Sequence, residues 1–138
     1  MDIPFCAMKA LIQKDNTYLV LLSSYGEKKI AYYDLPGGRI FWNENPYDAL
    51  HREIFEELQS EIEIKDSLWI WWFDRIDGKR VVCHTFLCTL KNNILDITKN
   101  PSQDEDIREF LWMTKKELLD ATLFQNTSIY DIFRKLPA

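Results

Sequence analysis

Apolar residues crowd positions 7–12 and again positions 18–22. The polar tripeptide Lys14-Asp15-Asn16 between them carries residue types that turns use, so the pattern predicts a β-hairpin. Ile30 to Leu35 reads as a further short strand, stopped by Pro36-Gly37-Gly38. Proline cannot donate to a ladder and paired glycines admit unusual backbone angles, so a tight loop is expected there. Asn45-Pro46 then opens a helix, because Asn is a favoured N-cap and Pro is tolerated at the first helical position, and Asp48 suits the positive end of the helix dipole. Leu50, Ile54 and Leu58, with Phe55 further round, give an apolar side at three- and four-residue spacing, which predicts a helix over Pro46 to Leu58.

Beyond that helix, Ile62 and Ile64 alternate with charges. A tryptophan-rich run from Leu68 to Phe73 follows, joined through Asp77-Gly78 to Arg80–Leu90, and two long paired strands are expected. Residues 91–102 hold two asparagines, a further Asn-Pro pair and scattered charges, and read as a loop. Phe110 to Met113 predicts a last strand. Thr114 with Glu117 forms a capping-box pattern for a short helix, and Ser128 with Asp131 opens a terminal helix ending near Leu136.

Composition narrows the function classes. A chain of 138 residues suits one domain, 1–138. The formal net charge of -5 is opposite in sign to that of a phosphate-backbone binder, so no nucleic-acid polymer is expected as partner. No apolar stretch reaches the roughly 18 residues a membrane span needs, and Met1-Asp2-Ile3-Pro4 does not begin a signal sequence; a cytoplasmic protein without a membrane partner is expected. Cys6, Cys83 and Cys88 are odd in number and form no CxxC pair, which argues against a disulfide framework or zinc ribbon. His51 and His84 read as packing residues, since neither has a metal-ligand companion in the sequence.

The helix carries one feature that needs a reason. Glu53, Glu56 and Glu57 occupy an arc of about 100° beside the apolar stripe, at 3.6 residues per turn. Their like-charged i,i+3 and i,i+4 pairs each cost about 0.2–0.5 kcal/mol in an isolated helix. Arg52 relieves Glu56 only in the less favourable orientation, and no Lys or Arg follows on the acidic face. The spacing by itself describes a solvated acidic surface. Its setting adds more: a Gly-Gly loop comes before the helix, Glu44 lies in that loop, and Arg52 directly precedes the first of the three glutamates. One divalent cation would resolve the repulsion, and an all-oxygen donor set suits Mg²⁺ or Mn²⁺ rather than zinc.

Gly38, five residues, Glu44, seven residues, then Arg52-Glu53-Ile54-Phe55-Glu56-Glu57 resembles the Nudix box, the loop-helix-loop signature of hydrolases that cut nucleoside diphosphates linked to another group. The resemblance runs from Gly38 to Ser60, and Leu35-Pro36-Gly37-Gly38 and Phe110–Met113 with Glu117-Leu118 extend it. The chain departs at the box's end, where Gln59 and Ser60 stand in place of the family's usual Gly and aliphatic residue. Gly there suits a left-handed C-cap that costs Gln about 1 kcal/mol, so a further helical turn is the alternative.

The resemblance implies an α/β fold, an α/β/α sandwich around a mixed β-sheet, and a metal-dependent pyrophosphohydrolase. By that likeness Glu53, Glu56 and Glu57 hold Mg²⁺ (or Mn²⁺), with the Gly37 carbonyl as a further ligand. Glu53 is the first candidate for general base and Glu56 the second, while Arg52 orients a box glutamate and Glu44 supports it. An acid outside the box completes the metal shell in related enzymes; Asp104, Glu105 and Asp106 are candidates, with Glu105 preferred. Gly37 and Gly38 are candidate substrate contacts, and Trp71, in the Trp69, Trp71, Trp72, Phe73 run, is a candidate for stacking on a base. Between Asp66 and Arg80 the chain lacks the Pro or Tyr that marks ADP-ribose or dinucleoside polyphosphate enzymes of the family, which tilts the expected small-molecule substrate towards a nucleoside triphosphate. A Nudix-like nucleotide-binding module without turnover is the alternative.

Overall fold

The chain, in a computed structural model describing residues 3–101 and 106–138, runs β1 (Phe5–Lys14), β2 (Thr17–Tyr25), β3 (Ile30–Asp34), β4 (Gly37–Arg39), α1 (Pro46–Leu58), β5 (Ile62–Asp74), β6 (Arg80–Leu90), β7 (Asp106–Met113), α2 (Lys115–Asp120), a 3-10 turn (Thr127–Ile129) and α3 (Tyr130–Arg134). The first hairpin forms where the apolar pattern predicts it. Asp15 takes the left-handed conformation (φ 55°) and the Thr17 hydroxyl donates to the Lys14 carbonyl at 2.8 Å.

The hairpin is paired only at its turn, through Gln13↔Tyr18 and Lys14↔Thr17. Beyond that point its strands part. β1 lies between β6, parallel from Phe5↔Val81 to Ile12↔Cys88, and β4, antiparallel. β2 lies between β3 and β7, both antiparallel. The mixed sheet thus has two leaves that meet at one hairpin, with β5 on the outer edge beside β6.

Strict alternation along β1 and β2 feeds two cores. Ala7, Leu11, Tyr18 and Val20 pack with Leu118, Ile129, Ile132 and Phe133 from the C-terminal helices. Met8, Ala10, Ile12, Leu19 and Leu21 pack with Leu50, Ile54 and Leu58 of α1. Helices therefore cover both faces, giving an α/β/α sandwich. None among the described residues is long and apolar enough to cross a membrane.

Several expectations are corrected. Residues after Pro36 form not a loop but the short strand β4, because Gly37 and Gly38 have no Cβ to hold them off β1. β5 is one strand of 13 residues, interrupted by register shifts between Ile64 and Asp66 and between Ser67 and Ile70. Ser128 does not cap a terminal helix: Asn126 accepts from the Ser128 N–H at 2.8 Å, and the Ser128 hydroxyl bonds both backbone groups of Trp72 on the exposed edge of β5. The Thr114–Glu117 capping box closes in both directions. α1 begins as predicted, with Asn45 accepting from the Asp48 N–H at 2.9 Å. It ends at Leu58, where Gln59 adopts the left-handed cap (φ 56°, ψ 33°) and donates its backbone N–H to the Phe55 carbonyl at 2.8 Å. No further turn forms.

Candidate active site

α1 reverses the usual burial rule at two neighbouring positions. Phe55, read as part of the apolar side, faces solvent, while Glu57 is only 4% exposed. A buried carboxylate needs strong partners, and one Glu57 oxygen accepts from the Gly37 N–H at 2.6 Å. That bond ties the helix to β4. Gly37 reaches it from φ 131°, lying so close to β1 that a Cβ would stand 2.1 Å from the Met8 carbonyl oxygen. Gly38 is required for a different reason: a Cβ there would sit 2.5–2.7 Å from the Glu53 carboxylate. The two glycines shape the resting places of two box glutamates.

Arg52 is the hub of the other carboxylates. Its fork engages Glu44 through Nη2 at 2.7 Å and Nε at 3.1 Å, and its Nη1 donates to Glu53 at 3.0 Å and to Glu56 at 3.2 Å. Nη2 also reaches the Arg39 carbonyl at 3.2 Å, and the guanidinium lies 3.8 Å from the centre of the Phe41 ring. The Arg52 hydrogen bond holds the Glu44 carboxyl below its ordinary value, helped by the Phe41 N–H. The Glu44 contact first, then Glu53, raises Arg52 above its own.

Glu53, Glu56 and Arg52 line one wall of a cleft of about 480 Å³ together with Gly37, Gly38 and Arg39. That volume suits a nucleotide-sized ligand. Tyr25, Tyr32, Phe73 and Gln125 line other parts of the same cleft. Trp71 does not. It is 1% exposed, it packs in the core, and its indole N–H donates to Thr85 Oγ1 at 2.9 Å, so the reading of Trp71 as a stacking surface is corrected. Within the tryptophan-rich run it is Phe73 that reaches the cleft. Trp69 lies under the Lys135 ammonium, 3.1 Å from its ring centre. His84 stacks on Phe86 and bonds Ser67, consistent with packing.

Of the acids proposed outside the box, Asp104 and Glu105 lie outside the described residues. Asp106 does not line the cleft. It accepts from Ser24 at 2.8 Å and from Lys29 at 3.3 Å, contacts that lower its carboxyl value in that order. Several cleft residues escaped sequence reading, Tyr25, Tyr32, Gln125, Lys9 and Asp34 among them. Lys9, itself buried, pairs with the partly buried Asp34 at 3.0 Å. The one available signal was a charge inside the apolar run of β1.

The donor set suits a hard divalent cation. Glu53, Glu56 and Glu57 offer only carboxylate oxygens, and the space left by the missing Cβ of Gly38 is what lets the Glu53 carboxylate sit at the cleft. In this conformation Arg52 stands between Glu53 and Glu56 as their shared counter-charge. Among the described residues, no three His, Cys, Asp or Glu side chains are grouped as a ready metal site.

Comparison with known proteins shows the family and the fold. The family model described as NUDIX domain matches residues 6–135. A search of curated proteins found no match. Among solved structures, a MutT NUDIX hydrolase from Burkholderia pseudomallei superposes with a TM-score of 0.79 at 20% identity, over 99% of this chain and 100% of that one. A MutT protein from Methanosarcina mazei Go1 gives 0.77 at 20% identity, over 97% and 93%. An Ap4A hydrolase from C. elegans gives 0.74 at 17% identity, over 95% and 93%. At these identities the likeness shows the fold.

Proposed function

This chain belongs to the NUDIX domain family of hydrolases, and on that premise we propose that it is a divalent-metal-dependent pyrophosphohydrolase acting on a nucleoside diphosphate linked to another group. A nucleoside triphosphate, cut to monophosphate and pyrophosphate, is the substrate the reading favours. One observation carries it: a single guanidinium, Arg52, gathers Glu44, Glu53 and Glu56 at the wall of a cleft of nucleotide size.

Hydrolysis of a diphosphate needs charge neutralisation, a positioned water and a base. Glu53, Glu56 and Glu57, with the Gly37 carbonyl, are the groups that would hold Mg²⁺ or Mn²⁺. Such an ion, when bound, neutralises phosphate charge and acidifies a bound water. Glu53, against Gly38 on the cleft wall, takes the proton of the attacking water, and Glu56 is the second candidate. Arg52 fixes the rotamers of both through its Nη1, and Glu44 fixes Arg52 through a two-pronged contact. Gly37 and Gly38 line the cleft and are the candidate contacts for the substrate.

A second reading, a nucleotide-binding module without turnover, is favoured by one specific observation, that Arg52 already serves Glu53 and Glu56 as their counter-charge. A panel of nucleoside triphosphates, dinucleoside polyphosphates and nucleotide sugars, incubated with Mg²⁺ or Mn²⁺ and followed by phosphate-product detection, separates the two. Turnover that Glu53→Gln abolishes supports the hydrolase. Saturable nucleotide binding without product for any panel member refutes it.

A further inference from the structure

Lys9 is a charge where β1 is otherwise apolar. It is 5% exposed, and its ammonium donates to Asp34 Oδ2 at 3.0 Å and to the Leu35 carbonyl at 3.2 Å. The other Asp34 oxygen accepts from the Leu35 N–H at 2.8 Å. One residue on, the Pro36 carbonyl accepts from the Ala10 N–H at 2.8 Å, and Gly37 then lies opposite Lys9 in the β1–β4 register. Residues 34–37 are therefore fastened to β1 at successive points. The last of them presents its N–H to the Glu57 carboxylate.

Stability is a poor reason for such a pair. Replacing a buried ion pair by apolar side chains of similar volume is often neutral or stabilising, because the desolvation cost of both charges disappears. Ala7 and Leu11, on the same face of β1, show that this layer accepts apolar residues. What an apolar pair would not do is fix direction: a charge-assisted hydrogen bond to Asp34 combined with one to the Leu35 carbonyl holds the strand's rotation as well as its distance.

We propose that the Lys9–Asp34 ion pair is a positioning clasp for the acidic site, holding residues 34–37 against β1 so that the Gly37 N–H points at Glu57 and orients that carboxylate. The proposal rests on the reading of Glu57 as a metal-holding residue, and it assigns Lys9 and Asp34 a role through Gly37 rather than contact with reacting atoms. Both side chains also line the cleft, so direct reading of the substrate's base is the rival role, and the two predict different kinetics.

The test uses the full chain with Lys9→Met/Asp34→Leu, an apolar pair, and Lys9→Gln/Asp34→Asn, a neutral hydrogen-bonded pair. Denaturant unfolding establishes that each is folded. For the apolar pair the clasp predicts a displaced Gly37 amide resonance with faster hydrogen exchange and Mg²⁺ affinity weaker by about tenfold in calorimetry. It also predicts kcat lower by about tenfold with nucleotide KM unchanged. The neutral pair should recover most of each. A Gly37 amide and Mg²⁺ affinity identical to the parent would overturn the clasp, as would a changed KM and altered nucleotide preference at unchanged kcat. Should the parent turn over no nucleotide, the hydrolase reading fails, while the amide resonance, which needs neither metal nor turnover, still decides the clasp.

Discussion

Substituting the two adjacent glycines of β4 separates folding from chemistry. At Gly37 a Cβ would lie 2.1 Å from the Met8 carbonyl oxygen, 2.9 Å from Lys9 Cα and 3.0 Å from the Met8 carbonyl carbon, all backbone of β1. β1 is held from its other side by the long parallel ladder to β6, so it cannot retreat cheaply. The backbone at φ 131° adds strain for any side chain. Strain of about 1–3 kcal/mol and overpacking of about 1–3 kcal/mol place Gly37→Ala about 4 kcal/mol below the parent, a loss of 10 °C or more in Tm.

Gly38 differs in both respects. Its φ lies outside the left-handed region, and the crowded atoms, 2.5–2.7 Å away, belong to the far end of the flexible Glu53 side chain. Glu53 can swing aside, surrendering its 3.0 Å contact with Arg52, at a stability cost of about 1 kcal/mol. The displaced carboxylate is then misplaced by an ångström or more, which is worth about 10²-fold in rate. Urea unfolding and Mg²⁺-dependent pyrophosphate release from nucleoside triphosphates measure the two effects. A Gly37→Ala protein as stable as the parent would refute the steric reasoning. A folded Gly38→Ala protein with unimpaired turnover would refute the placement of Glu53 in the chemistry.

Arg52→Lys keeps the charge but loses the fork that serves three carboxylates at once, so a destabilisation of about 1–3 kcal/mol and at least a tenfold loss of kcat are expected; equal stability and rate would show the network to be idle. Because Arg52 holds the Glu44 carboxyl below its ordinary 4.5, that contribution is complete above this pH and is lost as the pH falls through the lowered value, so the acid limb of the stability curve should flatten in Glu44→Gln. Thiol labelling at pH 8 should modify Cys6 quickly and leave Cys83 and Cys88 untouched until denaturant is added, since burial pushes both up to about 12 and Cys6 is exposed. Those two thiols stay protonated in the folded chain while the unfolded chain ionises above its ordinary 9.0, so their contribution to stability falls as pH rises past that value.

Legibility in the sequence followed the range of the interactions. α1 and its cap were readable because Asn45, Pro46 and the Leu50, Ile54, Leu58 stripe act within a turn or two of one another. The acidic box was readable because its spacing is local. What local pattern could not show is pairing between distant segments: β4 closing on β1, the parallel β1–β6 ladder, or the β5 bulge beside the tryptophans. Trp71 was misread for that reason, since alternation says that one side of a strand is core without saying which, and Thr85 across β6 decides it. Lys9 and Asp34 were invisible as a pair because 25 residues separate them, and only the folding of β3 and β1 towards each other brings their charges together.

The most informative local signal was a violation rather than a match. A helix that buried only by hydropathy would turn Phe55 inwards and Glu57 outwards. This one does the reverse, and the cost of burying a carboxylate is offset in part by the Gly37 N–H, which only a residue lacking Cβ could bring so close to β1. Sequence spacing placed three acids on one side of α1. The fold then divides them: Glu57 is locked to β4, while Glu53 and Glu56 face the cleft and share the Arg52 guanidinium. A merely solvated acidic face would need neither the buried anchor nor the shared counter-charge, so the combination favours a site built to concentrate negative oxygen at one wall of the cleft.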